Sequence, residues 1–183
     1  MASTLRTMRL AFGAVVLLTV VGAARVSFAG DESLISDARQ TIAKFRRTDP
    51  GLDMFFKHAA GYAVFPGIGK GGYLVGGAHG TGVLFEGGVP IGKVTMTQVT
   101  VGAQAGGQEY AEVIFFETPT ALAEFKQGKA AFAAQVSAVA LKAGASAAAK
   151  YERGVAIFTA TKGGMMAEAS IGGQKFKFEP FAR

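Results

Sequence analysis

Glycine is concentrated in one stretch of this chain and limits how that stretch can fold. Residues 61–107 hold 15 of the 26 glycines but only three charged side chains. Large apolar residues recur between the glycines, which excludes a flexible linker. Glycine at this density inside apolar runs favours sharp bends and close approach of neighbouring backbones. The stretch therefore predicts short strands in a strongly curved or closed sheet.

Short apolar runs predict the strands, and glycine, proline or threonine between them predicts the turns. Within the glycine-rich stretch the predicted strands cover residues 63–65, 72–75, 83–85 and 94–101. The predicted turns are Pro66-Gly67, Gly80-Thr81-Gly82 and Gly87-Gly88. Later strands are predicted over residues 110–116, 155–161, 166–171 and 175–178, the last two as a hairpin.

Helices are predicted on both sides of the glycine-rich stretch. Before it, apolar residues recur at helical spacing, namely Leu34, Ala38, Ile42 and Phe45. Asp49-Pro50 predicts the start of a second short helix, because proline favours the first turn. Thr118-Pro119 predicts a further helix near residues 119–127. Residues 129–150 stay open, since their alanine content favours a helix whereas apolar alternation over 132–140 favours a strand.

The N-terminus has the pattern of a secretory signal peptide over residues 1–29. Two arginines precede an uncharged apolar run at 10–24, and small residues follow. Fifteen helical residues span about 22 Å, and a bilayer core of about 30 Å therefore disfavours a membrane anchor. Cleavage removes three arginines, so 19 basic residues become 16 against 13 acidic ones, a net charge of +3. We expect residues 30–183 to form a single domain of a periplasmic or secreted protein.

Composition and motifs exclude several kinds of site. The chain has no cysteine for a thiolate metal site, and His58 and His79 have no acids near them at ligand spacing. It contains neither G-x-S-x-G nor a Gly-Lys-Ser/Thr triplet. Residues 67–72 match G-x-G-x-x-G, but strand-like residues follow, which favours a tight turn; a phosphate-binding backbone nest with Lys70 is the alternative. We expect no catalytic site, no metal site, no cofactor and no nucleic-acid partner.

The apolar stripe and the basic residues of the first helix have two interpretations. The stripe packs on the core, or it lies in a membrane interface while the cations contact anionic head groups. In the second interpretation the lipid-binding residues are Leu34, Ile35, Arg39, Lys44, Phe45, Arg46, Arg47, Lys57 and Lys70. At about 1 kcal/mol per cation, four or five cations give only millimolar binding. Insertion of apolar side chains is therefore needed as well.

Several separated motifs resemble the SYLF domain family. They are AAGYAVFP at 59–66, GKGGY at 69–73, GGAHGTG at 76–82 and VGAQAGGQ at 101–108, with KGGMMAEAS at 162–170 and GGQKF at 172–176. The last two resemble the exported bacterial branch. The resemblance implies phospholipid binding through a basic surface and an amphipathic N-terminal helix. It also implies an α+β fold with N-terminal helices packed on a strongly curved, barrel-like antiparallel β-sheet, in which residues 129–140 form a strand.

The sequence thus predicts a non-enzymatic cell-envelope protein that binds anionic phospholipid at a membrane surface. Two alternatives stay open. One is a structural or protein-interaction module with an envelope protein partner. The other is a carrier that holds a small apolar ligand inside a closed barrel.

Overall fold

A computed structural model describes residues 30–72, 75–101, 108–129, 137–161 and 173–182. Contacts between residues group the chain into residues 1–34 and residues 35–183. Residues 30–34, the described part of the first group, are helical. The arrangement that follows concerns residues 35–183.

In the described part of the chain, three α-helices form where capping residues and apolar spacing predict them. Helix α1 covers residues 30–48, and α2 runs from Leu52 to His58. Helix α3, Pro119–Lys126, begins where the Thr118 side chain accepts a hydrogen bond from the backbone N–H of Ala121 at 3.2 Å. A capping hydroxyl of this kind satisfies a donor that has no partner within the helix. The further helix predicted near 119–127 is therefore confirmed.

Within the described residues, seven strands form one sheet in the order β5-β6-β4-β1-β2-β3-β7. The strands are β1 Gly61–Gly72, β2 Val75–Glu86, β3 Val89–Val101, β4 Gln108–Phe116, β5 Ala138–Ala140, β6 Val155–Thr161 and β7 Gln174–Pro180. All neighbours pair antiparallel except β5 and β6, which are parallel. A short 3-10 turn, Ala145–Ala147, lies between β5 and β6.

The predicted α+β class is confirmed, but the predicted barrel-like sheet is wrong. Strands β5 and β7 are the two edges of an open sheet that is not strongly curled. Most glycines of residues 61–107 lie inside the long strands β1 and β2. They therefore do not form the sharp bends that would close the sheet. Of the three turns predicted within residues 61–107, only Gly87-Gly88 is a turn in the structure. Its φ angles of 58° and 81° favour glycine.

The other predicted turns lie within strands, where glycine has a packing role instead. Strand β1 passes through Pro66-Gly67 with a register shift between Val64 and Ile68, and β2 passes straight through Gly80–Gly82. A Cβ at Gly80 would lie 2.7 Å from Cγ1 of Ile68, and one at Gly82 would lie 2.7 Å from Cδ1 of Phe65. Larger residues would displace these buried side chains, which explains why glycine occupies a strand interior.

Each face of the sheet is covered by a different helix. Phe115 and Phe116 are adjacent in β4 and therefore point to opposite faces. Phe115 packs against Phe56 of α2, with ring centroids 4.8 Å apart. Phe116 packs against Phe125 of α3 at 4.6 Å, in the main apolar core. This arrangement places α2, and the end of α1 that leads into it, on one side of the sheet.

Some predictions fall outside the described residues. They are the signal peptide at 1–29, most of the predicted strand at 129–140 and the strand at 166–171. Strand β5 is the described part of the first of these two strands. The single domain over 30–183 stays a prediction.

Candidate functional site

Helix α1 turns part of its predicted apolar stripe inward. Ala38 and Phe45 are fully buried, and Ile42 is half-buried. The prediction that Phe45 inserts into a membrane is therefore wrong for the folded protein, because the interior already encloses its ring. Leu34 and Ile35 are half-buried. An amphipathic stripe serves a core and a membrane equally well, which is why the sequence left both interpretations open.

The predicted cations of α1 share one exposed face of that helix. Arg39, Lys44, Arg46 and Arg47 are all exposed. Arg46 forms an ion pair with Asp53 of α2 at 3.0 Å, and its guanidinium lies 4.8 Å from the ring centroid of Phe56. For Arg39, Lys44 and Arg47 the described residues provide no ion pair. The face therefore carries cations that are available to an anionic partner.

The charges on this face also act on a tyrosine of the sheet. Burial raises the pKa of the Tyr62 hydroxyl, and the positive charges of Arg46 and Arg39 oppose that rise. Tyr62 lies on β1 and stacks on Phe85 with ring centroids 5.2 Å apart. Arg39 and Arg46 therefore lie close to the covered face of the sheet.

A buried aspartate fixes the joint between α1 and α2 to a distant loop. Asp49 is 2% exposed and accepts hydrogen bonds from the backbone N–H of Gly51 at 3.1 Å and of Ser146 at 2.6 Å. The rings of Phe55 and Tyr151 add a second contact, with centroids 5.4 Å apart. The loop between β5 and β6 thus borders the joint. The sequence did not indicate this contact, because Asp49 and Ser146 are far apart along the chain.

Asp49 is ionised at neutral pH. Its burial alone raises the pKa, but hydrogen bonds from Ser146, Gly51 and Gly144 outweigh burial and lower the pKa below its ordinary 3.8. Backbone N–H groups that point at a carboxylate stabilise its charged form. Backbone donors therefore hold the Asp49 carboxylate, and among the described residues it forms no ion pair with the exposed cations.

Replacing Asp49 by alanine is expected to destabilise the fold by about 2 kcal/mol at pH 7, because two backbone donors lose a charged acceptor. Since its folded pKa is depressed, the contribution of Asp49 is present above pH 3.8 and is lost as the pH falls through the folded value. Urea unfolding at pH 7 measures the loss of stability in the variant. The same measurement near pH 3 shows how much of the contribution of Asp49 is lost at low pH. An unchanged free energy of unfolding at pH 7 would contradict the contact, and exposed Asp37→Ala is the control.

Helix α2 exposes an apolar side chain between basic ones. Met54, Lys57 and His58 are exposed at helical spacing, and 60% of the Met54 surface is accessible. Lys142 and Lys150 are exposed on the loop that Asp49 holds against the joint. We call this surface the basic corner; it comprises Arg39, Lys44, Arg46, Arg47, Met54, Lys57, His58, Lys142 and Lys150.

Sequence reasoning missed four members of the basic corner, namely Met54, His58, Lys142 and Lys150. The exposure of Met54 could have been predicted from the sequence, because Met54 does not share the helical spacing of the buried Leu52 and Phe56 in the same helix. Lys142 and Lys150 carry none, because only the folded loop brings them near the joint. The remaining predicted residue, Lys70, lies on β1, but its side chain is outside the described part of the structure.

The described part of the chain gives little support for a membrane-spanning helix or a metal site. No helix there is both long and apolar enough to cross a bilayer. No three His, Asp or Glu side chains there are grouped so that they could hold a metal ion. His79 is exposed on β2, apart from His58 on α2.

Comparison with known protein families identifies part of the chain. Residues 97–180 match the family model Ysc84, described as Las17-binding protein actin regulator. The matched part begins in β3 and extends through β4, α3, β5, β6 and β7; it does not include α1 or α2. No curated protein matches the chain.

Proposed function

Because this chain belongs, through residues 97–180, to the Ysc84 (SYLF) family, we propose that it is a binding module for anionic phospholipid. The proposed binding surface is the basic corner. The family description names a protein that binds another protein and regulates actin, and the sequence motifs imply lipid binding. The observation that carries the proposal is the exposure of Met54 on the same helix as the exposed Lys57 and His58, next to the basic helix α1, whose Arg46 pairs with Asp53 of α2.

The charge on the basic corner fits a peripheral contact with a membrane. Arg39, Lys44, Arg47 and Lys57 lack ion-pair partners among the described residues, and each cation near an anionic surface contributes about 1 kcal/mol. Four of them contribute about 4 kcal/mol, which alone corresponds to about millimolar binding. Electrostatic attraction therefore brings the protein to the surface without holding it tightly.

Met54 supplies the apolar contribution that the sequence analysis assigned to Leu34, Ile35 and Phe45. Transfer of an exposed methionine side chain out of water contributes about 1.5–3 kcal/mol. Added to the electrostatic term, this gives binding at tens of micromolar. Its unbranched thioether also adapts to irregular surroundings such as lipid head groups and acyl chains.

The proposal extends to the setting in which the protein works. A leader over residues 1–29 would export the chain, and its partner would then be an anionic lipid of the cell envelope. The protein would act without catalysis, as a binding protein. Exposed basic residues and one exposed apolar side chain meet those needs without a cofactor.

Co-sedimentation of the full chain with vesicles tests the proposal. We expect binding to phosphatidylglycerol-containing vesicles above the level seen with phosphatidylcholine alone, and we expect it to fall as salt is raised, since salt screens exposed charges. The neutral vesicles give the baseline, because residues 10–24 are themselves apolar. Equal binding to both vesicle types at all salt concentrations would refute the electrostatic part.

A matched pair of variants tests the contribution of Met54. Met54→Gln is expected to weaken binding to anionic vesicles about tenfold or more. Val99→Gln is the control, because Val99 is 72% exposed but lies on β3, outside the basic corner. Equal losses for the two variants would show that Met54 has no special role.

Of the two alternatives, the structure favours only one. A carrier with a closed barrel loses its basis because the sheet is open. A protein-interaction module keeps some support, since β3 exposes both Val89 and Val99. That function predicts specific capture of an envelope protein and no binding to vesicles.

A further inference from the structure

A glutamate lies in the interior, and no cation among the described residues lies beside it. Glu112 is in the middle of β4 and 0% exposed. Its side chain is on the same face as Tyr110, Ile114 and Phe116, which face α3 and the main apolar core. Ionised carboxylates are rarely buried unless they are paired with a cation or a metal. The protonation state of Glu112 therefore has structural consequences.

The partner of Glu112 comes from the far edge of the sheet. Gln174 of β7 donates from Nε2 to Oε2 of Glu112 at 3.2 Å. Strands β4 and β7 are four strand spacings apart, about 19 Å in a flat sheet. The two side chains cannot span that distance, so the open sheet is bent enough at this point to bring them together. This contact ties the C-terminal edge strand to the central strand β4.

One hydrogen bond leaves one oxygen on each side chain without a partner. Oε1 of Glu112 and Oε1 of Gln174 are both buried and accept no hydrogen bond. Two acceptor oxygens cannot satisfy each other, but a proton on the carboxyl group would make one of them a donor. A carboxylic acid and a primary amide side by side then exchange two hydrogen bonds in a ring.

We propose that Glu112 is protonated in the folded protein in weakly acidic solution and forms a two-bond acid–amide pair with Gln174, which holds β7 against β4. In this pair Gln174 donates through Nε2 to Oε2 of Glu112, and the protonated Oε1 of Glu112 donates to Oε1 of Gln174. Loss of the proton breaks the second bond and leaves an unpaired charge in the interior. The pair is thus a pH-sensitive contact between two strands.

Among the described residues no cation faces Glu112, and only the hydrogen bond from Gln174 favours its charged form. The residues opposite it in register are Phe65 on β1 and Thr159 on β6, and neither titrates. Tyr110, on the same strand, interacts with the Glu112 carboxyl group and forms a hydrogen bond with the Gln174 side chain. On β7 the charged residues Lys175 and Lys177 are exposed, so they alternate away from the buried Gln174.

The direction of the pKa shift agrees with a protonated carboxyl group. Burial raises the pKa of Glu112 from 4.5 to about 7, and the hydrogen bond from Gln174 opposes only part of that rise. Between pH 4.5 and 7 the folded chain therefore keeps a proton that the unfolded chain has lost. Stability then falls as the pH rises through this window and changes little above it.

Urea unfolding of the full chain from pH 4.5 to 8 tests the pair through Glu112→Gln. A glutamine at this position makes the same two hydrogen bonds without a proton, so this variant keeps the contact at every pH. The ratio of the wild-type to the variant unfolding constant is expected to rise on the order of a hundredfold between pH 4.5 and 8. A ratio that stays constant would overturn the proposal. Glu124→Gln, on the exposed surface of α3, is the control and should show no change in ratio.

Two further measurements identify the proton. Difference infrared spectra of the wild type at pH 6 should contain the carbonyl band of a protonated carboxylic acid that is missing from Glu112→Gln; absence of this band would overturn the proposal. Replacing sodium chloride by choline chloride at pH 8 should leave wild-type stability unchanged. A large loss in choline would show that a small metal cation, and not a proton, bridges the two oxygens.

A variant at Gln174 tests whether the hydrogen bonds between Gln174 and Glu112 hold β7, or whether Glu112 is merely a buried carboxyl group. Gln174→Met removes both hydrogen bonds while filling similar space, so it should raise the unfolding constant at pH 5, where Glu112→Gln has little effect. Unchanged stability of Gln174→Met at pH 5 would show that the amide does not hold β7.

Discussion

Replacing Phe115 by alanine is expected to destabilise the protein by about 3–5 kcal/mol, as found for large aromatic deletions in well-packed cores. Phe115 is fully buried where α2 packs on the sheet. Its ring lies within 6.0 Å of four others, those of Phe55, Phe56, Tyr62 and Phe158. Removing it leaves these rings without their common neighbour.

The cavity left by Phe115 cannot close easily. Strand β4 is paired on both sides, with Tyr62 and Ala156 directly opposite Phe115, so its backbone cannot move toward α2. For a domain of about 150 residues, 1 kcal/mol shifts the melting temperature by about 2–4 °C, so the midpoint should fall by about 10 °C. Met54→Ala is the control and should shift it little, because Met54 is exposed. A cost of less than about 1 kcal/mol for Phe115→Ala would mean that α2 is not packed on this face.

Local signals in the sequence were sufficient for some regular elements within residues 35–183. Thr118-Pro119 predicts α3 because the cap and the proline act within one turn. Gly87-Gly88 predicts a hairpin because consecutive residues with positive φ favour glycine. Each of these features depends on a few neighbouring residues, and each is found where the sequence places it.

Features that depend on distant residues were missed or misread. Gly80 and Gly82 were interpreted as a turn, but they leave room for side chains of β1, and no local pattern distinguishes the two uses of glycine. The inward orientation of Phe45 depends on what α1 packs against. Glu112 was visible as the only acid within the apolar run of residues 110–116, yet its partner is 62 positions away. The basic corner was therefore only half predictable, since its loop lysines reach the joint through Asp49.

Removing four charges from the basic corner is expected to weaken binding to anionic vesicles about a thousandfold. The variant replaces Arg39, Lys44, Arg47 and Lys57 by glutamine; Arg46 is kept because Asp53 already pairs with it. At about 1 kcal/mol for each cation, the loss is about 4 kcal/mol. Co-sedimentation at low salt measures it, and the difference from the wild type should shrink as salt rises.

A second fourfold variant separates the location of the charges from their number. It replaces Lys93, Lys126, Lys175 and Lys177 by glutamine, which removes the same net charge from β3, α3 and β7. The ion pairs that Lys93, Lys126 and Lys177 make with Glu86 and Glu179 are at the surface, so their loss should cost little stability. If the basic corner is the binding surface, this variant should bind within a fewfold of the wild type. Equal losses in the two variants would mean that net charge alone attracts the protein to the membrane, and the basic corner would then have no special role.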